Sequence, residues 1–180
     1  MNLTQPITDL ETINKIGVYL KNQNMRDYIL FRCMLYLALR TQDIIDLKVG
    51  DVKGKNRIVV KETKTRKRKY VDINPDLLKE LADYTEFKGD DEPLFPSVRT
   101  KKALSRAQAF RSLQKAGQAI GMESLSGHVL RKTFCYHAYM NGTPLSVLCE
   151  LLNHSSEAVT RKYIGLRQED IKEAYYSVSF

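Results

Sequence analysis

The chain has 180 residues, enough for one domain with a substantial core, because a chain of roughly 150 residues buries about 70% of its unfolded surface. Lysine and arginine outnumber aspartate and glutamate by 29 to 21, and the formal charge of +8 favours a polyanionic partner, nucleic acid first and an anionic membrane surface second. The N-terminus lacks the basic stretch and apolar run of a signal peptide. The most apolar window, YILFRCMLYLAL, is too short to span a bilayer and contains Arg32. Composition thus predicts a cytoplasmic protein without a membrane span.

The cysteines exclude two other classes of protein. Cys33, Cys135 and Cys149 are odd in number, widely separated and embedded in apolar segments. This pattern fits neither a disulfide framework nor a zinc site. We therefore expect reduced, buried thiols and no metal ion.

Helical periodicity governs the first quarter of the chain. The stretch TDLETINKIGVYLKN predicts a helix that opens with a capping box formed by Thr8 and Glu11. A second, very apolar helix is expected over residues 27–39. TQDIIDL predicts a short third helix capped by Thr41, which places Arg40 at a junction between helices.

The middle of the chain contains the predicted strands. After the turn-rich KVGDVKGKN, the β-branched runs RIVV and KYVDI flank the basic KETKTRKR, which indicates a hairpin with a charged tip. The helix in NPDLLKELADYTEF starts with Asn74 as its cap and Pro75 at its first position. Residues 88–104 contain glycine and prolines and predict an internal loop or hinge.

The last third is predicted to be helical again. The helix in SRAQAFRSLQKAGQAIG ends at Gly121, that in HVLRKTFCYHAYMNG ends at Gly142, and that in TPLSVLCELL starts with Thr143 and Pro144. A further short helix begins after a serine pair and carries Tyr163. The predicted fold class is mainly α with a small antiparallel β-hairpin.

Two groups of residues on helices could bind an anion. His128 and Arg131 lie three residues apart and share a helix face, although an isolated pair of this kind is more often structural. Arg40 follows the apolar YLAL, so we expect it near the core. Its partner could be Asp43, a bound phosphate, or both.

The hairpin tip is the most basic part of the chain. Six cations fall within nine residues with only Glu62 between them, so they repel one another unless an anion lies alongside. We place DNA contact ahead of a merely solvated turn for these residues, which are Lys61, Lys64, Arg66, Lys67, Arg68 and Lys69.

Tyr163 is one of ten tyrosines and, taken alone, would be a packing residue. It follows His154 by nine residues and has Arg161 beside it. A phenol with a pKa of about 10 is a poor nucleophile at neutral pH, and a phosphodiester repels anions. Phosphoryl transfer by a tyrosine therefore needs fixed positive charge, which arginines and histidines supply without a metal, and a lysine on a hairpin can protonate the departing oxygen.

These segments together resemble the tyrosine recombinase (phage integrase) family over almost the whole chain. LALRTQDIIDL is similar to the family's first arginine box, VVKETKTRKRKYVDI to its lysine hairpin, HVLRKTFCYHAYMNG to its His-x-x-Arg box, and LLNHSSEAVTRKYIG to the box that ends in the nucleophile. Asn153 departs from the pattern, because the family usually has glycine before this histidine.

The resemblance implies a tyrosine recombinase catalytic-domain fold and site-specific cleavage and rejoining of DNA through a 3′-phosphotyrosine. Tyr163 would be the nucleophile, Lys64 the general acid, and His128 would assist proton transfer from the phenol. Three residues would bind the phosphoryl oxygens: Arg40, Arg131 and His154. Asp43 and His137 would support them. Neither ATP, metal nor another cofactor would be needed.

The resemblance also predicts how the chain is organised and what it binds. It starts near Met1, so we expect a single catalytic domain over residues 1–180 with no N-terminal core-binding domain, either as a short recombinase or as the catalytic fragment of a longer protein. The tail, residues 166–180, would dock in cis or in trans. The expected partners are double-stranded DNA and further copies of the chain, as a tetramer on two duplexes. The alternatives are a type IB topoisomerase and a non-catalytic DNA-binding regulator.

Overall fold

Helices account for most of the computed structural model, which describes residues 5–61 and 68–166. Within these ranges the helices are α1 Leu10–Gln23, α2 Met25–Tyr36, α3 Thr41–Ile45, α4 Val49–Val52, α5 Pro75–Thr85, α6 Arg106–Ala119, α7 Gly127–Met140, α8 Leu145–Leu152 and α9 Glu157–Ile164. The strands β1 Arg57–Lys61 and β2 Arg68–Asp72 pair antiparallel as a two-stranded sheet. The predicted mainly helical fold with a small hairpin is confirmed.

Several predicted helix boundaries are displaced, and caps or backbone turns account for the displacements. The first helix is capped by Asp9, not by a box of Thr8 and Glu11, because the Asp9 carboxylate accepts hydrogen bonds from two free amides of the first turn. α2 ends at Tyr36, since Ala38 turns the chain with a left-handed φ of 49°. α8 begins one residue later than predicted, with Pro144 as its N-cap.

Two segments predicted as irregular differ in outcome. The turn-rich segment contains the short helix α4, whose Val49 and Val52 side chains are buried. The segment 88–104 is irregular as expected, but Leu94 and Phe95 are fully buried and Leu94 N donates to Leu47 O. The burial makes it a packed loop, not a hinge.

Most buried side chains form one cluster, which we call the main core. It surrounds α2 and takes apolar residues from α1, α5, α6, the inner face of β1 and the first turn of α7. Examples are Leu30 of α2, Leu77 of α5 and Leu130 of α7, each with no exposed surface. The main core therefore fixes the helices that carry Arg40, His128 and Arg131.

A second, smaller cluster, the satellite core, lies under α8 and α9. It consists of Cys135 from α7 with Leu148, Leu152 and Ile164. α7 contributes to both cores and joins them. In the part of the chain that the structure describes, no helix combines the length and apolar composition needed to cross a bilayer.

Candidate active site

Close backbone packing brings the Arg40 segment against the start of α7. Arg40 is half-buried and lies at the predicted helix junction, but it is itself the N-cap of α3, and Thr41 is the first helical residue and not the predicted cap. Gly127 begins α7, and a Cβ at this glycine would collide with the Thr41 hydroxyl. Glycine at position 127 therefore lets Arg40 approach the first turn of α7.

α7 places His128 and Arg131 on one face, as predicted from their spacing. Ser126 caps the helix by accepting a hydrogen bond from Val129 N at 3.3 Å. His128 is exposed, whereas Arg131 is only 6% exposed and donates from Nη2 to Leu152 O at 3.4 Å. Arg131 thus connects α7 to the C-terminal end of α8.

The two residues expected to support the site lie in different places. Asp43 is buried on α3, one turn after Arg40. His137 lies nine residues after His128, which is half a turn away around α7. Its Nε2 is 3.0 Å from Ile7 O, so this histidine contacts the N-terminal segment and lies on the opposite side of α7 from His128.

A residue with a left-handed backbone conformation determines the direction of the chain at His154. Asn153 has φ 55°, with its amide donating to Glu150 O and the His154 amide donating to Cys149 O, both at 3.0 Å. This is a Schellman ending, which favours glycine and tolerates asparagine. Asn153 therefore fulfils the backbone role of the glycine that the family usually has here.

α9 brings Tyr163 between the two histidines. Ser156 caps α9, which confirms the predicted helix start after the serine pair. The Tyr163 ring makes edge contacts with His128 and His154 at centroid distances of 5.1 and 5.0 Å. Its hydroxyl oxygen is 3.5 Å from His128 Nδ1.

These side chains share one open cavity of about 380 Å³. Five of the predicted site residues line it, namely Arg40, His128, Arg131, His154 and Tyr163.

Burial raises the pKa of the Tyr163 phenol to about 12, while Arg131 and Arg40 act in the opposite direction. The phenol is therefore protonated at neutral pH and needs a base to become a nucleophile.

Both histidines are biased toward the neutral form. Although His128 is exposed overall, partial desolvation of its ring, and then the charges of Lys132 and Arg131, lower the pKa of His128. Burial, and then Arg131 and Arg40, lower the pKa of His154. A neutral His128 with a free lone pair on Nδ1 can accept the proton of the Tyr163 hydroxyl.

The predicted DNA-contacting cations have different surroundings. Lys61 and Arg68 are exposed and directly opposite each other on the outer face of the hairpin, where like charges repel. Lys69 faces inward and donates to Leu151 O at 2.5 Å, so its ammonium is engaged by the C-terminal end of α8. Arg161 is exposed on α9 and does not line the cavity. Lys64, Arg66 and Lys67 lie outside the described residues, as do positions 167–180 of the predicted docking tail.

The structure adds three residues that sequence reasoning missed. Arg106, at the start of α6, lines the cavity beside His128. Lys132 is 2% exposed, with Nζ 5.2 Å from the Tyr163 ring centroid. Thr160 is fully buried and contacts His154. Helical spacing offered a signal for Lys132, one turn after His128, and for Thr160, one turn before Tyr163, whereas nothing in the local sequence distinguishes Arg106.

The arginines, histidines and tyrosine that line this cavity agree with the tyrosine recombinase family that the sequence resembles, and comparison with known proteins shows the family. The model of the phage integrase family matches residues 7–170. The chain is 42% identical over 175 residues to the probable integrase/recombinase YoeC of Bacillus subtilis, with 97% of each chain covered. The chain belongs to the phage integrase family.

More distant relatives extend the likeness. Tyrosine recombinase XerA of Pyrococcus furiosus is 28% identical over 168 residues, which cover 91% of this chain and 58% of XerA. The crystal structure of XerH recombinase, in a post-cleavage complex with its palindromic difH substrate, matches with a TM-score of 0.76 at 20% identity. That match covers 94% of this chain and 51% of XerH and confirms the predicted fold. The chain therefore spans little more than half the length of these two relatives.

Proposed function

We propose that this protein is a site-specific DNA recombinase that cuts and rejoins DNA through a covalent 3′-phosphotyrosine. The observation that carries the proposal is the Tyr163 hydroxyl 3.5 Å from His128 Nδ1, in a cavity that Arg40 and Arg131 also line. Catalytic hydrogen bonds are often long before substrate binds, so this distance suits a base awaiting DNA. Family membership adds independent support.

The cleavage step begins when the scissile phosphate enters the cavity. The Tyr163 oxygen attacks phosphorus while its proton passes to His128 Nδ1. Arg40, Arg131 and His154 bind the non-bridging oxygens and stabilise the charge that develops on them. The phosphorus bond to the 5′-oxygen breaks, and that oxygen leaves as a hydroxyl after taking a proton from Lys64.

The rejoining step is the same chemistry in reverse. A 5′-hydroxyl from another strand attacks the phosphotyrosine and releases Tyr163. The number of phosphodiester bonds is unchanged, so the reaction requires no ATP, and the arginines and His154 supply the positive charge that a metal would otherwise provide. Exchange between two duplexes requires cleavage of four strands, so four copies of the chain would assemble on the DNA.

DNA binding by the hairpin is part of the same proposal. Lys61 and Arg68 repel each other across the outer face of the sheet, and a phosphate backbone would relieve that repulsion. Tyr70, 62% exposed on the same face, adds an aromatic surface. The XerH complex with its difH substrate is a precedent for DNA binding by this fold.

The proposal is tested by trapping the covalent intermediate. The purified protein is incubated with a pool of nicked duplexes of randomised sequence, so that the short 5′-hydroxyl strand diffuses away after cleavage. Denaturing gels should show a protein–DNA adduct that forms in EDTA without ATP. Sequencing of the adducts then gives the preferred site, and adding back a 5′-hydroxyl strand should release the protein and join the DNA.

Two tyrosine variants serve as test and matched control. Tyr163→Phe should form no adduct, whereas Tyr139→Phe, which alters another tyrosine packed on the satellite core, should behave as wild type. Equal adduct in Tyr163→Phe would mean that another residue is the nucleophile. DNA binding without an adduct in wild type would indicate a non-catalytic DNA-binding protein.

A further inference from the structure

Thr160 lies at a hydrogen-bond junction between the nucleophile helix and His154. Its side chain is fully buried on α9. The hydroxyl oxygen is 3.0 Å from His154 Nδ1 and 3.3 Å from Ser156 O. A buried hydroxyl between a ring nitrogen and a carbonyl constrains where the protons lie.

Only one arrangement of protons satisfies both contacts as hydrogen bonds. The Ser156 carbonyl accepts the Thr160 amide at 3.2 Å and has a second lone pair for the Thr160 hydroxyl, which on a helix commonly donates to the carbonyl four residues earlier. The remaining contact is then satisfied only if His154 Nδ1 carries a proton and donates it to Thr160. In neutral His154, the bare nitrogen is therefore Nε2.

The same hydroxyl joins two catalytic elements. Thr160 precedes Tyr163 by three residues and lies on the same side of α9. Asn153 sets the backbone conformation before His154. The direction of the His154 ring then depends on the contact of its Nδ1 with Thr160. The orientation of the His154 ring is thereby coupled to the position of the helix that carries the nucleophile.

We propose that Thr160 is a positioning residue that holds His154 with Nδ1 protonated and leaves Nε2 to interact with the scissile phosphate. The effect on cleavage rests on the proposed function, whereas the ring tautomer does not. When the scissile phosphate enters, its negative charge favours the imidazolium form of His154, which takes a proton from solvent at Nε2 and uses that N–H as a hydrogen-bond donor to a phosphoryl oxygen. The groups facing this ring are Arg131 from α7, Arg40 before α3 and the Tyr163 phenol from α9, while Cys149 of α8 donates to the His154 carbonyl oxygen at 3.3 Å.

The tautomer is measured by nitrogen NMR of histidine-labelled protein during a pH titration. Wild type and Thr160→Ser should show a protonated Nδ1 throughout, with Nε2 gaining the proton on acidification. Thr160→Val keeps the side-chain volume but should give a mixture of both tautomers. The matched control is Thr85→Val on α5, because Thr85 is also fully buried and donates to the carbonyl four residues earlier, Leu81 O, at 2.7 Å.

Two NMR outcomes would overturn the proposal. One is a wild-type His154 with its proton on Nε2, and the other is a Thr160→Val spectrum that matches wild type. A change in Thr85→Val equal to that in Thr160→Val would also count against it, since any buried threonine would then have the same effect. These readouts need no DNA, so they stand even if the protein forms no covalent adduct.

The functional consequence is measured on the duplex recovered from the covalent adducts. Thr160→Val should cleave about tenfold more slowly than wild type, the factor expected for one lost hydrogen bond, with unchanged DNA affinity. Thr160→Ser should restore the rate, and Thr85→Val should cleave as wild type does. A changed tautomer with an unchanged cleavage rate would refute the positioning role.

Discussion

The main core and the satellite core differ in size and in what they hold. Among the described residues, the main core contains thirty buried apolar residues and the satellite core four. The main core fixes Arg40, His128 and Arg131, the groups expected to bind the phosphate and accept the proton. The satellite core holds α8 and α9, each eight residues long, with His154 and Tyr163.

Of the two cores, the satellite core is expected to open more readily, and it holds Tyr163, the proposed nucleophile. Helices of eight residues are not stable alone, so α8 and α9 depend on the few contacts of the satellite core. Local opening takes less free energy where fewer apolar contacts are lost. We therefore expect Arg40, His128 and Arg131 to be held more firmly than His154 and Tyr163, so that the proposed nucleophile could be repositioned during the proposed strand exchange.

The largest expected effect comes from breaking the main core. Leu30→Ala removes a fully buried side chain from α2 and should lower the free energy of unfolding by about 3 kcal/mol. Urea denaturation followed by circular dichroism measures this loss. Exposed Leu10 on α1, replaced by alanine, is the matched control and should change little. A loss below about 1 kcal/mol for Leu30→Ala would mean that the main core is not the stable part of the fold.

A smaller and more local effect is expected in the satellite core. Leu148→Ala on α8 should lower the global free energy of unfolding less than Leu30→Ala does, because this region can open before the rest unfolds. Amide hydrogen exchange in α8 and α9 should quicken by at least about tenfold, while exchange in α2 stays as in wild type. Equal acceleration in α2 and α9 would show that the two cores unfold as one unit.

Sequence reasoning succeeded where the signal was local or belonged to the family. Asn74 as a cap and the serine pair before α9 marked helix starts that the structure confirms, whereas the predicted caps Thr8, Thr41 and Thr143 are not the N-caps observed. The spacing of His128 and Arg131 placed them on one face. The convergence of Tyr163 on His128 was inferred only through the family resemblance, because distant segments do not reveal their packing in composition or periodicity.

Some contacts that sequence reasoning did not foresee join different elements. Lys69, predicted to contact DNA because it lies in a basic run, pairs with Val60, whose side chain is buried, and faces inward to donate to Leu151 O. Strand alternation could have revealed this. The contact of Thr160 with His154 joins two segments that follow the left-handed Asn153; asparagine is known to adopt that conformation, but the contact itself cannot be deduced from local sequence.

The smallest expected effect is electrostatic and tests whether the charge of Lys132 helps to keep His128, the proposed base, neutral. The charge of Lys132 is the second-largest cause of the lowered pKa of His128, after burial. Lys132→Met should therefore raise this pKa toward its ordinary value of 6.5. Since His128 accepts a proton only when neutral, cleavage by the variant should decline at a higher pH than cleavage by wild type as the solution is acidified. A proton NMR titration of His128 measures the shift directly, with exposed Lys115→Met on α6 as the control. If His128 titrated at the same pH in wild type and Lys132→Met, the lysine would serve only to pack against the Tyr163 ring. Burial and the charge of Arg131 would then account for the lowered pKa of His128.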